Sequence, residues 1–499
     1  MAGIGFALRD LMAKDSLWAI LESQIHGVVA VAGPWFFTIV TMALPSLMFD
    51  RETAGDATAG FVTVLLYAFS TSLALTGPIA ITLTRLVSDK MFRHETQTIA
   101  SSFVGAVLVA FLVVSPVAIV GLFTVELPIA TRMQAVVALG LVTVNWIAAP
   151  MLSTIHQFRL LTSSYALGTG VFWLILRSRT EVEVHDLLMG FNVGMGLTNA
   201  ILCGLVLHNF GHVGGHTFHL LGGLRKYWDL ALGGLLYGAG IWVDKWLMWT
   251  APEHVESLGG LSTYPTYDTV VFVAYVTTVP ALALFIIKAE TQLHEVCARF
   301  YQAIQRHADR RTIELARVEV RRTFYLAGRD VALFQAILTL LAVAVPTLLL
   351  DLVGMPHAGV FMFRFCVIGA AFHLGALLIT VVLFYFDSRR TVLIINAVFL
   401  GSNLLLTWVT LQLGLRWYGV GYFMAGIVTF CTAWVLLDRA MSDLLILAFV
   451  RQNPAITESA PRAVIETMYF DAKTSPGPLD GVETADQLES IDTRDAARG

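Results

Sequence analysis

Residues 99–123 read IASSFVGAVLVAFLVVSPVAIVGLF, with no charged side chain among them. A helix rises about 1.5 Å per residue, so about twenty apolar residues span the ~30 Å hydrocarbon core of a bilayer. The segment is long enough to cross. Pro116 inside it is tolerated in a membrane helix when neighbours satisfy the freed backbone. Working outward, apolar blocks of similar length recur at about 27–49, 61–84, 134–152, 160–176, 186–208, 230–249, 269–288, 330–353, 364–386, 391–412 and 417–437. Composition agrees: 57% of the 499 residues are hydrophobic and only 14% are charged, with a mean hydropathy of +0.72. So little charge cannot cover a soluble surface of this size. The expected fold class is an all-α polytopic membrane protein with about twelve transmembrane helices.

The connections set the orientation. With the N-terminus inside, inside connections up to Val450 carry 20 basic residues and outside connections six: Arg51, Arg132, Arg177, Arg179, Arg364 and Arg416. Positive charge stays cytoplasmic, so an N-in/C-in topology is expected. Residues 1–26 place Ile4, Leu8, Leu11 and Met12 opposite Arg9, Asp10, Lys14 and Asp15, the pattern of an interfacial amphipathic helix. Two six-span bundles, 27–208 and 230–450, flank a Gly- and His-rich cytoplasmic linker at 209–229. Within the second, residues 290–329 carry eight Arg against five acids and read as a helix leaving the membrane. The tail 451–499 has nine acids and few apolar residues, the composition of a disordered segment.

An internal repeat relates the two bundles. Gly33-Pro34-Trp35 of the first span matches Gly240-Ile241-Trp242 of the seventh at an offset of 207. Pro78 and Arg85 meet Pro280 and Lys288; at an offset of 230, Pro116 meets Pro346 and Arg159 meets Arg389. An even number of spans in each half makes both run in the same sense, a parallel repeat about the membrane normal. The expected architecture is two pseudo-symmetric six-helix bundles facing a central cavity.

The opening Met1-Ala2-Gly3-Ile4-Gly5-Phe6-x-Leu8-Arg9, the Gly33-Pro34-Trp35 motif and Gly240-Ile241-Trp242-Val243-Asp244-Lys245-Trp246 together resemble the PelG proteins over residues 1 to about 450. Those are inner-membrane transporters of the Pel exopolysaccharide, within the superfamily of multidrug, oligosaccharidyl-lipid and polysaccharide flippases. The resemblance implies a growing hexosamine polymer as substrate, moving from cytoplasm to periplasm during biofilm formation. It also implies a cytosolic glycosyltransferase and small membrane subunits, one a cyclic di-GMP sensor, as partners. No nucleic acid and no cofactor is implied, and membrane lipids surround the helices.

Asp244 and Lys245 are the most informative charges, flanked by Trp242, Trp246 and Trp249 about five residues from the outer end of the seventh span. A charge at the bilayer centre costs about 2.5–3.5 kcal/mol on insertion scales. Adjacent helical residues point ~100° apart, so both cannot face lipid cheaply. They belong to a substrate path or they snorkel into an outer aromatic belt. Trp35, Asn145 and His373 are further candidates for the path. For His373 a proton relay competes with a hydrogen-bonded packing role, which is favoured because no acid shares its depth on its own span. For Asn145, Asn192, Asn199 and Asn403 the default is hydrogen bonding between helices. Arg310, Arg311, Arg321 and Arg322 are candidates for partner docking, with anionic lipid the competing use.

Other chemistries are disfavoured. His208, His212, His216 and His219 sit among helix-weakening glycines without Cys or carboxylate, so no metal site is expected. There is no G-x-x-x-x-G-K-[ST] motif for ATP and no stretch long enough for a glycosyltransferase domain, so no enzyme is expected. Two alternatives stand beside a polysaccharide transporter. One is a cation-coupled antiporter of drugs or metabolites on the same fold, which needs a buried carboxylate that spans one and two lack. The other is a non-transporting assembly subunit of a polysaccharide synthase complex.

Overall fold

A computed structural model of the chain describes residues 37–93, 95–154, 157–211, 217–352 and 359–446. The interfacial segment 1–26, Trp35 with its Gly-Pro partners, His212, His216 and the acidic tail lie outside the described residues.

The chain is a polytopic all-α membrane protein. Ten helices among the described residues are long and apolar enough to cross a bilayer, each falling on a predicted span. The first half contains α1 (Phe37–Met48), α2 (Arg51–Phe92), α3 (Ile99–Thr124), α4 (Ile129–Thr154), α5 (Phe158–Arg177) and α6 (Val184–Phe210). After the short α7 (His219–Lys226), the second half opens with α8 (Trp228–Met248). It continues with α9 (Pro265–Val276), α10 (Val279–Lys288), α11 (His294–Gln305), α12 (Arg310–Ala344) and α13 (Pro346–Leu352). It closes with α14 (Val360–Tyr385), α15 (Arg389–Leu413) and α16 (Val420–Ser442). Two predicted spans are not among the ten. The first is described only from Phe37, as a short apolar helix. The seventh is α8, whose Asp244, Lys245 and glycines lower its hydropathy although it is a continuous helix.

Local sequence explains the helix ends. At the start of α6, Glu183 and Asp186 satisfy each other's backbone donors in a reciprocal cap. Pro265 occupies the first turn of α9, where its missing N–H costs nothing. The eighth predicted span is broken in mid-course: α9 ends at Val276 and α10 restarts with Pro280 in its first turn. There the Thr277 and Thr278 hydroxyls donate to the Ala274 and Tyr275 carbonyls, both at 2.7 Å. These bonds turn both hydroxyls back onto their own helix, so neither is left exposed as a free polar group at the break. Pro346 likewise begins a new helix, whereas their counterparts Pro78 and Pro116 lie inside the unbroken α2 and α3. The prolines paired by the sequence offsets therefore differ in their effect on the helices.

Each half holds its own core. Phe61, Leu65, Phe172 and Leu187 centre one cluster of the first half, and Ile79, Phe103, Met151 and Leu202 another. Tyr267, Phe363, Phe399 and Tyr422 centre that of the second. The halves meet where α2 crosses α8. A Cβ on Gly77 would stand 2.6 Å from the Gly234 carbonyl oxygen, and one on Gly234 would stand 2.6 Å from that of Gly77. Only glycine permits this approach, and close backbone contact is what binds helices where lipid removes the hydrophobic drive. Within residues 290–329, α11 and the first turns of α12 are joined by the Arg299–Glu319 ion pair at 2.9 Å. The unit that begins at Arg439 is described as far as Ile446: the end of α16 and one further helical turn, Leu444–Ile446.

Candidate functional site

Helix α8 carries an adjacent pair of opposite charges, both buried. Asp244 is fully buried and Lys245 nearly so. The Lys245 ammonium lies 3.3 Å from both carboxylate oxygens of Asp244 and donates to the Ile241 carbonyl at 2.9 Å. Two other helices complete the carboxylate's shell: Tyr267 of α9 donates at 3.0 Å and Asn403 of α15 at 3.4 Å. The ammonium sits 5.5 Å from the ring centres of Trp242 and Tyr275, within cation–π range of both. Neither charge faces lipid.

Asn403 also fixes the helix that carries the pair. Its amide donates to the Gly240 carbonyl at 3.0 Å, and Asn396, seven residues earlier, does the same to Gly233 at 3.0 Å. Seven residues are two turns, so both asparagines lie on one face of α15 and grip α8 twice. The first half uses the same device. Asn192 and Asn199 of α6 donate to the Gln134 and Leu141 carbonyls of α4 at 2.9 and 2.7 Å. Asn145 accepts from Tyr165.

Beside Lys245 an aromatic wall extends across the second half. His373 of α14 lies 3.3 Å from both the Tyr275 and the Tyr422 hydroxyls through Nδ1, and its ring centre is 4.3 Å from that of Phe399. Its Nε2 and the Trp242 indole N–H are buried without a hydrogen-bond partner. Trp242 packs against the cores of both halves, so this wall reaches the seam between them. Trp246 is half-buried against the second core. Toward the end of α8, Trp249 donates to the buried carboxylate of Asp268 at 3.0 Å and stacks on Tyr67 of the first half with ring centres 4.6 Å apart.

At the opposite end of α8 a polar cluster ties the halves together. Arg85 of α2 bridges Asp89 at 3.1 Å and Asp387 of the second half at 3.1 Å. Arg389 reaches Asp387 at 3.3 Å and Asp229 at 3.5 Å, and both arginines lie over the ring of Tyr227. Tyr227 in turn donates to Asp89 at 2.5 Å.

The structure thus brings Trp242, Asp244, Lys245, Trp246 and His373 together on one side, while Asn145 belongs to the first half and Trp35 is outside the described residues. Arg310, Arg311, Arg321 and Arg322 are all exposed on α12, and Arg321 contacts Asp438 at 3.4 Å. Sequence reasoning missed Tyr267 and Asp268. Both fall just before the predicted start of the eighth span at 269, where a carboxylate reads as a loop charge. The signal available was Pro265, which marks the helix start four residues earlier. Among the described residues no group of His, Cys, Asp and Glu is arranged to hold a metal.

Comparison with known proteins gives the family and the fold. Residues 1–449 match the family model of PelG, the exopolysaccharide exporter (EPS-E). No curated protein matches the chain by sequence. Among solved structures, an outward-facing multidrug resistance MATE-family transporter of the MOP superfamily is similar, with a TM-score of 0.56 at 12% identity over 84% of this chain and 94% of that one. The bent form of the Vibrio cholerae MATE transporter VcmN gives 0.60 at 10% identity, over 89% and 99%. A MOP superfamily transporter from Pyrococcus furiosus gives 0.56 at 11%, over 84% and 95%. The fold is that of a transporter and not of an enzyme, and the chain belongs to the PelG exopolysaccharide exporter family.

Proposed function

We propose that this chain carries a growing hexosamine-rich polysaccharide across the bacterial inner membrane, from cytoplasm to periplasm, along the seam between its halves. The observation that carries the reading is the Lys245 nest. An ammonium held in place by Asp244, faced by Trp242 and Tyr275, offers sugar rings both a flat aromatic face and a fixed donor. The unpartnered Trp242 N–H and His373 Nε2 supply further hydrogen-bonding capacity in the same wall. Family membership supports an exopolysaccharide as the substrate class. The end carrying Arg85, Arg389 and the α11–α12 extension is the basic one and is read as cytoplasmic. A glycosyltransferase delivering the polymer would meet the protein there, at the exposed arginines of α12.

The test is export of hexosamine polymer by cells carrying the double variant Asp244→Asn/Lys245→Met, which removes both charges and leaves no orphan. Polymer outside the cell should fall at least tenfold while the protein inserts at normal level. Undiminished export would refute the role of the pair.

Cation-coupled exchange on the same fold is the second reading. Asp268, a second buried carboxylate whose charge Lys245 does not directly neutralise, favours it. It requires Asp268→Asn to abolish efflux of a small solute, with polymer export unaffected.

A further inference from the structure

We propose that the connection between α8 and α9, residues 249–264, is the gate at the end of the molecule opposite the arginine cluster. On this view it is an arm of the second half that seats on the first half and must lift before the polymer can leave. The proposal rests on the transport reading above and adds to it the element that closes the exit.

The arm is built to reach. Val255 pairs with Thr263 and Glu256 with Ser262 in a short antiparallel hairpin. Gly259 and Gly260 turn its tip with φ of 72° and 78°, the left-handed region that glycine enters without strain. Its root is held by its own half: Tyr418 donates to Glu253 at 2.8 Å and Trp249 to Asp268.

The tip belongs to the other half. The Glu126 backbone N–H donates to the Gly259 carbonyl at 3.2 Å, and a Cβ on Gly259 would stand 2.8 Å from the Leu127 side chain. Leu258 lies against α2 so closely that a Cβ on Gly60 would be 3.6 Å from its own Cβ. Tyr67 of α2 donates to the Ser262 carbonyl at 2.9 Å. These contacts between the halves are few, local and made by a hairpin of two-residue strands. Lifting the arm breaks the Glu126–Gly259 backbone hydrogen bond, the Tyr67–Ser262 hydrogen bond, the Tyr67–Trp249 stack and a patch of leucine packing. At the other end of α8, about 30 Å away along 21 residues, the Arg85–Asp387 cluster joins the same two halves. The Lys245 nest lies between two closures, and the hairpin is the one on the far side.

The arm also senses the nest. Tyr67 stacks on Trp249, Trp249 holds Asp268, and Tyr267 next to it holds Asp244. Rearrangement around the carboxylate pair therefore bears on the side chain that clamps Ser262.

The separation at Gly60 and Leu258 is within the range of Cβ distances in disulfides, about 3.5–4.5 Å. The full chain carrying Gly60→Cys and Leu258→Cys should therefore cross-link in membranes on mild oxidation, read by mass spectrometry of the linked peptides. Oxidised cells should export at least tenfold less polymer, reductant should restore it, and each single variant should export. A cross-linked chain that exports normally would overturn the gate while leaving the transport reading intact, and so would failure of the folded double variant to cross-link. Loss of the whole gene without loss of export would instead overturn the transport reading. Should the double variant misfold, Leu261→Cys gives an independent readout. Its labelling by a membrane-impermeant maleimide should rise several-fold in cells making polymer over cells that are not, and equal labelling would contradict the gate.

Discussion

The ammonium of Lys245 lies 3.3 Å from both carboxylate oxygens of Asp244, the residue that precedes it in the chain. Neighbours on a helix diverge by ~100°, so this contact requires the long lysine side chain to curl back toward the helix. The ammonium also donates to Ile241, one turn back, which holds it in that posture. The pair is buried, so each charge depends on the other.

Removing one partner should therefore cost more than removing both. Lys245→Ala and Asp244→Asn are each expected to lower stability by about 3 kcal/mol, because each leaves one charge buried without its counter-charge. Asp244→Asn/Lys245→Met should recover most of that loss without recovering export. Thermal unfolding in detergent measures it, and a double variant less stable than either single one would contradict the coupling.

The two asparagines of α15 separate structure from function. Asn396 grips only Gly233, while Asn403 grips Gly240 and also donates to Asp244. Each substitution to Ala should cost about 1 kcal/mol of stability. Only Asn403→Ala should also depress export per molecule inserted. Equal effects on export would show that Asn403 acts through packing alone.

The arginine cluster should behave as a separable latch. Arg85 and Asp387 are partly exposed, so their coupling is worth about 1 kcal/mol or less. Arg85→Asp is expected to loosen that end of α8 and speed maleimide labelling of cysteines placed near it. Asp387→Arg in the same chain should restore slow labelling. Failure of the exchange to rescue would mean that the contact does not hold the halves.

Docking at the α11–α12 extension is tested without disturbing the fold. Arg321 bonds to Asp438 and covers Tyr325, so it is left in place. Reversing Arg310, Arg311 and Arg322 to Glu should abolish co-purification with the polymer's glycosyltransferase while the chain still inserts. Unchanged co-purification would leave these arginines to lipid or topology.

The membrane fold was legible because bilayer thickness fixes the length of apolar runs, as in 99–123. The seventh span was legible too as an apolar block at 230–249, although Asp244 and Lys245 make it less apolar than most of the others. Charge cost alone argued that the pair could not both face lipid, and left snorkelling open beside burial. The pair's partners were not legible. Tyr267, Asn403 and Tyr275 are 23, 159 and 30 residues or so from the pair, and only the packing of α9 and α15 on α8 brings them in. The break between α9 and α10 was hidden because Pro280 looks no different in sequence from Pro78, which its helix absorbs. The arm at 249–264 escaped notice because a short polar connection carries no periodicity that shows where it seats.

The central claim is that polymer passes the wall formed by Trp242 and Lys245. It is tested most directly by placing a photo-reactive phenylalanine analogue at position 242 and illuminating cells that are making polymer. The control carries the same analogue at position 405, where Leu405 is 59% exposed on the outside of α15. The account predicts a hexosamine-bearing adduct from position 242 and none from position 405. Normal export with no adduct at position 242, or with equal adducts at both, would contradict it.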